Sequence, residues 1–327
     1  MRSCAADGPL SPPEPGFERK SRRCSRLVAR ATGRTIAQDM QRPTPIHVIA
    51  YATSFAMVGV CTGLVLGGGG NVITFLAIRT LGVVAVLAIY LRVAGVAIAL
   101  PARDRGIAVG IGLVQCLNAY LIAAAMAEIP VPLAVLIFYL WPAITSVASW
   151  LLGKEPFRWR MLFGLAAAFL GVGLALNVEF TSAQTQGVAF AFASAFTWSL
   201  IFMLSGHFFH GRDTRPLTFH MMAVVGTVFV LLCVASREIV LPSTTAGLVA
   251  VAAVPFFFAY AMIGLLAATG SLGPSRTGFY MNVEPVASVL LSAAILGQNL
   301  APIQLVGAAL VIAALFIFRP LKVPLPA

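Results

Sequence analysis

A chain of 327 residues with 59% hydrophobic and 10% charged side chains is far from a soluble domain, where about a quarter of residues carry charge. Its mean hydropathy of +0.93 leaves too few polar groups to cover the apolar surface in water. The formal net charge of +11 does not indicate nucleic-acid binding, because the basic residues lie in short links and an N-terminal tail and form no aromatic-basic patch.

Residues 1–45 are rich in Arg, Ser and Pro and have almost no apolar periodicity. They read as a basic, disordered tail beside anionic lipid. No apolar h-region follows a charged start, so a cleaved secretory signal is not expected. A second reading starts translation at Met40, leaving Arg42 alone before the first apolar segment. Ten apolar segments follow, at 46–66, 72–91, 106–126, 132–152, 160–177, 187–208, 217–236, 247–268, 277–296 and 302–318. Their lengths suit helices crossing a bilayer core, which takes about 17–25 residues. They are continuously apolar, whereas a barrel would alternate in runs of about ten. Gly67–Gly70, between the first two segments, permits a tight turn. It lacks the preceding strand and following Lys-Ser/Thr of a phosphate loop. A polar linker at 179–186 separates a first five-helix half, 46–178, from a second, 187–318, and residues 319–327 form a short tail.

The links predict an orientation. With the N-terminus in the cytoplasm, 20 of the 22 basic residues fall on the cytoplasmic side or in the tails. Arg237 falls outside, and Arg79 lies within a span. Both termini are then cytoplasmic. The two halves also repeat: residues 131–174 align with 274–317 at a constant offset of 143, placing Pro142 on Pro285, Ser149 on Ser292 and Gly164 on Gly307. Five helices per half is an odd number, so the second half enters the membrane from the opposite face. Inverted repeats of this kind place a site near the midplane and open it to each side in turn. The expected fold is therefore all-α and membrane-integral, with ten transmembrane helices in two inverted five-helix repeats and both termini inside.

Several motifs together resemble the EamA domain of the drug/metabolite transporter superfamily. They are FLAIRTLG with Arg79, LWPAITS with Pro142, LLGKEPF before a Gly-rich fifth span, and VEPVASVLLSAAILGQNLAPIQLVGAALVIA in the second copy. The resemblance covers residues 46–318. It implies a secondary transporter, often an exporter of amino acids or other small metabolites, commonly driven by proton exchange. Members of the family often carry Glu after the Gly ending the fourth and ninth spans. Here Glu155 fits, with Lys154 intervening after Gly153, but its counterpart is Gln298. That puts in doubt a coupling scheme needing both carboxylates.

Ionisable groups within a bilayer cost roughly 2.5–3.5 kcal/mol on insertion scales, so each asks for a reason. Glu284 lies about two turns into the ninth span, before Pro285. Proline removes a backbone donor, making Pro142 and Pro285 the expected helix breaks. A carboxyl beside a loosened helix can bind a cationic group or a proton, so Glu284 is the candidate proton-coupling residue; the bland reading is a structural pair with a neighbouring helix. Arg79 can bind a substrate carboxylate, pair with Glu284, or snorkel to the interface. Gln115, Asn118, Tyr139, Trp141, Trp198, Tyr260, Tyr280 and Asn282 are candidate cavity residues, although such groups often only bond across helices. His207 and His220 read as interfacial. Gly164, Ala167, Gly171 and Ala175, echoed by Gly307, Ala308 and Ala314, read as close helix packing.

Cys4, Cys24, Cys61, Cys116 and Cys233 form no metal-ligand spacing, so neither metal nor cofactor is expected. HExxH, GxSxG and paired intramembrane Asp are lacking, which argues against an enzyme. The expected function is a secondary exporter of a small amino-acid-like or amphipathic metabolite in the cell inner membrane, coupled to protons and acting as a monomer or homodimer. The alternative is a non-transporting lipid-handling or accessory membrane subunit.

Overall fold

The computed structural model describes residues 43–153, 159–177 and 185–317, apart from Gly211, Glu238 and Gln298. The basic tail, the Met40 start, Lys154, Glu155, Gln298, most of the polar linker and the C-terminal tail lie outside the described residues. Among those described, the structure is helical throughout. The first half contains α1 (Pro45–Gly67), α2 (Val72–Val93), α3 (Ala102–Glu128), α4 (Val131–Phe138), α5 (Trp141–Leu151) and α6 (Trp159–Ala175). The second contains α7 (Thr185–Phe208), α8 (Arg215–Ser236), α9 (Thr245–Leu272), α10 (Pro274–Met281), α11 (Val283–Leu296) and α12 (Pro302–Ile317). Shifting the first half by 143 residues carries each helix onto its counterpart to within three residues at either end.

The caps are local and readable. Asn71 accepts from the Thr74 N–H at 2.7 Å to start α2, and Thr244 accepts from Gly247 N–H at 3.1 Å to start α9. In the glycine link, Gly69 has φ +86°, the left-handed turn expected there.

Eight apolar stretches are long enough to cross a membrane, counting α4 with α5 and α10 with α11 as one each. The expected fifth and tenth spans, α6 and α12, have 17 and 16 described residues. At 1.5 Å per residue they reach only about 24–26 Å, short of a core of about 30 Å. The third helix starts earlier than expected, at Ala102, and so takes Arg103, Asp104 and Arg105 into its first turn. Its Asp104 carboxylate there suits the positive helix end.

Packing repeats between the halves as the sequence does. α1 lies on α9 and its counterpart α7 on α3; α2 crosses α8, and α6 crosses α12. The small residues of α6 and α12 let backbones meet, as expected. A Cβ on Gly171 would lie 2.9 Å from Gly307 O, and one on Gly307 2.6 Å from Gly171 O. At the α2–α9 crossing, a Cβ on Gly82 would lie 2.8 Å from Pro255 Cβ. That close approach sets α2 against α9 one turn below Arg79.

The two ends of the bundle are tied differently. At one, Arg212 pairs with Asp104, and Arg215 donates to Asp213 and, at 3.4 Å, to the Tyr90 hydroxyl. At the other, Ser243 N–H donates to Gly68 O at 2.9 Å and Asn71 N–H to Val240 O at 3.2 Å.

Candidate functional site

The fourth and ninth spans each break near their middle, but not at the prolines themselves. In the fourth the break is at Tyr139–Leu140, and Pro142 sits in the first turn of α5. In the ninth it is at Asn282, with Pro285 in the first turn of α11. A proline in a first turn forfeits no helical bond of its own, so the prolines restart the helices that the breaks interrupt. The Asn282 side chain donates to Phe279 O at 2.9 Å and Gly278 O at 3.3 Å, satisfying carbonyls that the break releases.

The broken helices differ in what surrounds them. Near the Asp104–Arg212 end, α5 packs on α10. Gly278 makes this possible: a Cβ there would lie 3.0 Å from the Trp141 ring and 3.2 Å from Pro142 Cβ. Trp141 is 1% exposed and tilted on Phe202, with centroids 4.7 Å apart. The counterpart pair, α4 and α11, shows no comparable packing among the described residues. Tyr139 closes α4 and Glu284 lies in the first turn of α11, and the two side chains are near enough to interact electrostatically. Glu284 is half-buried, although Trp141, its counterpart in the repeat, is fully buried.

Arg79 lies in α2 with its guanidinium carbon 4.5 Å from the centroid of Phe258 and 5.7 Å from that of Phe75. Its Nε is buried without a hydrogen-bond partner. Among the described residues Arg79 has no ion pair, so the expected option of an Arg79–Glu284 bridge is not realised. Snorkelling is not realised either, because Phe258 is in the interior of α9 and 4% exposed.

Aromatic rings connect the two ionisable groups. Phe258 meets Phe55 at 5.3 Å, Phe55 meets Trp198 at 6.2 Å, and Trp198 meets Phe138 at 5.9 Å. Phe138 lies edge-on to Tyr139 at 5.7 Å, which brings the series to Glu284. Phe55, Phe75, Phe138 and Phe258 carry no sequence signal that separates them from the other phenylalanines of the spans. Only their contacts place them here.

The remaining candidates divide. Gln115 is buried and its Oε1 has no partner. Asn118 is spent on the scaffold, donating to Ser194 O at 2.8 Å and to the Ser194 and Thr197 hydroxyls at 3.1 and 3.0 Å. Tyr280 is buried beside Phe279, and Tyr260 is 42% exposed, edge-on to Tyr51. His220 Nδ1 donates within its own helix to Pro216 O at 2.9 Å, and His207 lies edge-on to its neighbour Phe208. Among the described residues no cluster of His, Cys, Asp or Glu could hold a metal.

A solved structure, titled only as the crystal structure of a protein, superposes with a TM-score of 0.70 at 18% identity, over 85% of this chain and 98% of the other. That likeness concerns the fold. No curated protein matches the sequence. The model of the EamA-like transporter family matches twice, over residues 44–177 and 185–319, which correspond to the two halves of the helical repeat. On that match over most of its length, the chain belongs to the EamA-like transporter family and is a multi-pass membrane protein.

Proposed function

We propose that this protein is a secondary transporter that exports a small amphipathic metabolite across the cell inner membrane by alternating access, with Glu284 exchanging a proton for substrate. In this reading α6 and α12 also span the bilayer, giving ten spans in two inverted repeats with both termini in the cytoplasm. The distribution of basic residues supports that orientation. The Asp104–Arg212 end is then cytoplasmic.

The observation that carries the reading is the unequal treatment of the two broken helices. One pair of half-helices, α5 and α10, is packed shut on Gly278. The other, α4 and α11, has no such packing among the described residues, and Tyr139 and Glu284 stand at the ends of these half-helices nearest the breaks. Inverted repeats can exchange such arrangements, so the closed pair would open as the open pair closes. Closing the second pair would bring Val135, the counterpart of Gly278, towards Glu284 and Pro285. Glu284 would thus be exposed in one state and covered in the other, as a carrier of protons requires. Tyr139, Trp198, Tyr280, Gln115 and Arg79 would form the walls of the substrate site.

The test starts by comparing the media of cells with and without the protein to find the exported compound. Proteoliposomes with a pH dye inside then report proton movement as that compound crosses. Wild-type protein is expected to accumulate the compound against its gradient when a pH gradient is imposed. Glu284→Gln is expected to carry it downhill only. Full accumulation by Glu284→Gln would end the proton role, and identical media would end the export reading.

A further inference from the structure

We propose that Arg79 is the docking point for a carboxylate on the transported compound, so that the site takes molecules with a ring-sized apolar body and one carboxylate. The inference deepens the transporter reading above and rests on it for the word transported; the binding site itself is testable without it.

The geometry of the guanidinium is the starting point. It lies over the Phe258 and Phe75 rings at 4.5 and 5.7 Å, and such contacts engage a cation through the face of the ring. The N–H donors of arginine point outward in the guanidinium plane, in a fork that matches the two oxygens of a carboxylate. Here those donors meet no carboxylate among the described residues, and the Nε–H is buried with no acceptor. Buried donors of a permanent cation are rarely left unspent. The protein positions Arg79 carefully all the same. The Gly82–Pro255 approach fixes α2 on α9, and Phe258 lies one turn from Pro255.

Charge count selects the ligand. Within α2 the only other charged residue is Arg92 in the last turn, and α9 has none. One isolated guanidinium suits a singly charged carboxylate; a phosphate dianion would call for a second cation. The repeat shows that the charge is not part of the scaffold. Met222 answers to Arg79 in α8, and Gln115 answers to Phe258 in α3. The fold builds the same crossing there without a cation, so helix packing does not require one. The run of rings from Phe258 through Phe55 and Trp198 to Phe138 offers a face for an apolar body.

The test uses the purified full chain in lipid nanodiscs with no gradient. The probes are 3-phenylpropionate, 3-phenylpropanamide and 3-phenylpropylamine, which share a body and differ in the end group. Binding is read by tryptophan fluorescence, with thermal melting as a second readout. Phenylpropionate is expected to bind at least about tenfold more tightly than the amide or the amine, the usual margin for a charge-assisted fork over a neutral bond. Arg79→Gln is expected to abolish that preference, and Arg79→Lys, which keeps the charge but loses the fork, to retain only part of it. Asn118→Ala, at a residue spent on the scaffold, is expected to bind phenylpropionate within about threefold of wild type, a margin small beside a tenfold step; because binding is read without a gradient, failure of the proton reading and failure of this one are told apart. Equal binding of acid and amide by wild type would overturn the proposal, as would no binding of the acid, or an acid preference that survives in Arg79→Gln. The wild-type comparison stands whether or not the variants fold.

Discussion

Trp141 and Glu284 occupy answering places, each directly before the proline that restarts a broken helix, and they have opposite fates. Trp141 is sealed against Phe202 and the bare backbone of Gly278. Glu284 is half-buried at the start of α11, which does not pack on α4 as α5 packs on α10. The difference between the two positions teaches that the repeat supplies geometry and the substitutions supply chemistry. One copy uses the break to stack a ring, and the other uses it to hold a carboxyl next to a tyrosine. Gly278 against Val135 makes the same point, because the repeat with the ring on one side has the space for it on the other.

The strongest way to break the comparison is Trp141→Ala. The ring is 1% exposed, and truncating a buried tryptophan costs about 3–5 kcal/mol through lost contacts and the cavity left. Melting in nanodiscs should fall sharply, whereas Glu284→Ala at the answering position should change it little. If both changed it equally, the two sites would be playing one structural part. Gly278→Leu ranks next. The first added carbon already meets Trp141 at 3.0 Å, and overpacking costs typically about 1–3 kcal/mol. This cost falls only on the arrangement in which α5 and α10 are packed. It should therefore raise labelling of a cysteine placed on α5, in the Asp104-side half of the bundle, by about fivefold or more. Unchanged labelling would mean that the packed pair is not a gate.

The repeat, the helical class and the two broken spans are legible in the sequence, because an offset of 143 and paired prolines are linear features. The seat of the break is less so. Proline marks the restart of a helix, and the true interruption at Tyr139–Leu140 or Asn282 shows only when backbone bonds are traced. Least legible is which polar residue does what. Asn118 and Gln115 share a helix face, yet Asn118 turns its amide to Ser194 and Thr197 on another helix, and Gln115 leaves an oxygen unspent. Arg79 meets Phe258 across 179 positions of chain, a distance no local pattern spans. The proximity of Tyr139 to Glu284 likewise joins the two halves.

Asn118 gives a milder test of the same division between scaffold and chemistry. Its counterpart is Ala261, which has no amide, and at the equivalent α1–α9 crossing a single hydroxyl bond is made instead, from Ser54, the counterpart of Thr197, to Phe257 O at 2.9 Å. Asn118→Ala should cost about 0.6–1.7 kcal/mol, the usual range for interhelical bonds in a membrane. Transport selectivity should be unchanged. A changed substrate preference would place Asn118 in the site and not in the scaffold.

The smallest effect concerns the two ends of the bundle. One is tied by Arg212–Asp104, a partly exposed pair whose arginine side chain is 49% exposed and whose aspartate is 11% exposed, and the other by neutral backbone bonds of Ser243 and Asn71. Exposed ion pairs are weakened by salt, and bonds between neutral groups are not. Asp104→Asn should therefore lower melting by less than Asn118→Ala does, and the deficit should shrink as salt approaches 1 M. Ser243→Ala removes only the hydroxyl bond to Gly68 O, at 3.0 Å, and its effect should be the same at every salt concentration. A salt-dependent deficit in Ser243→Ala, or a salt-independent one in Asp104→Asn, would show that the two ends are not held by the different forces their bonds suggest.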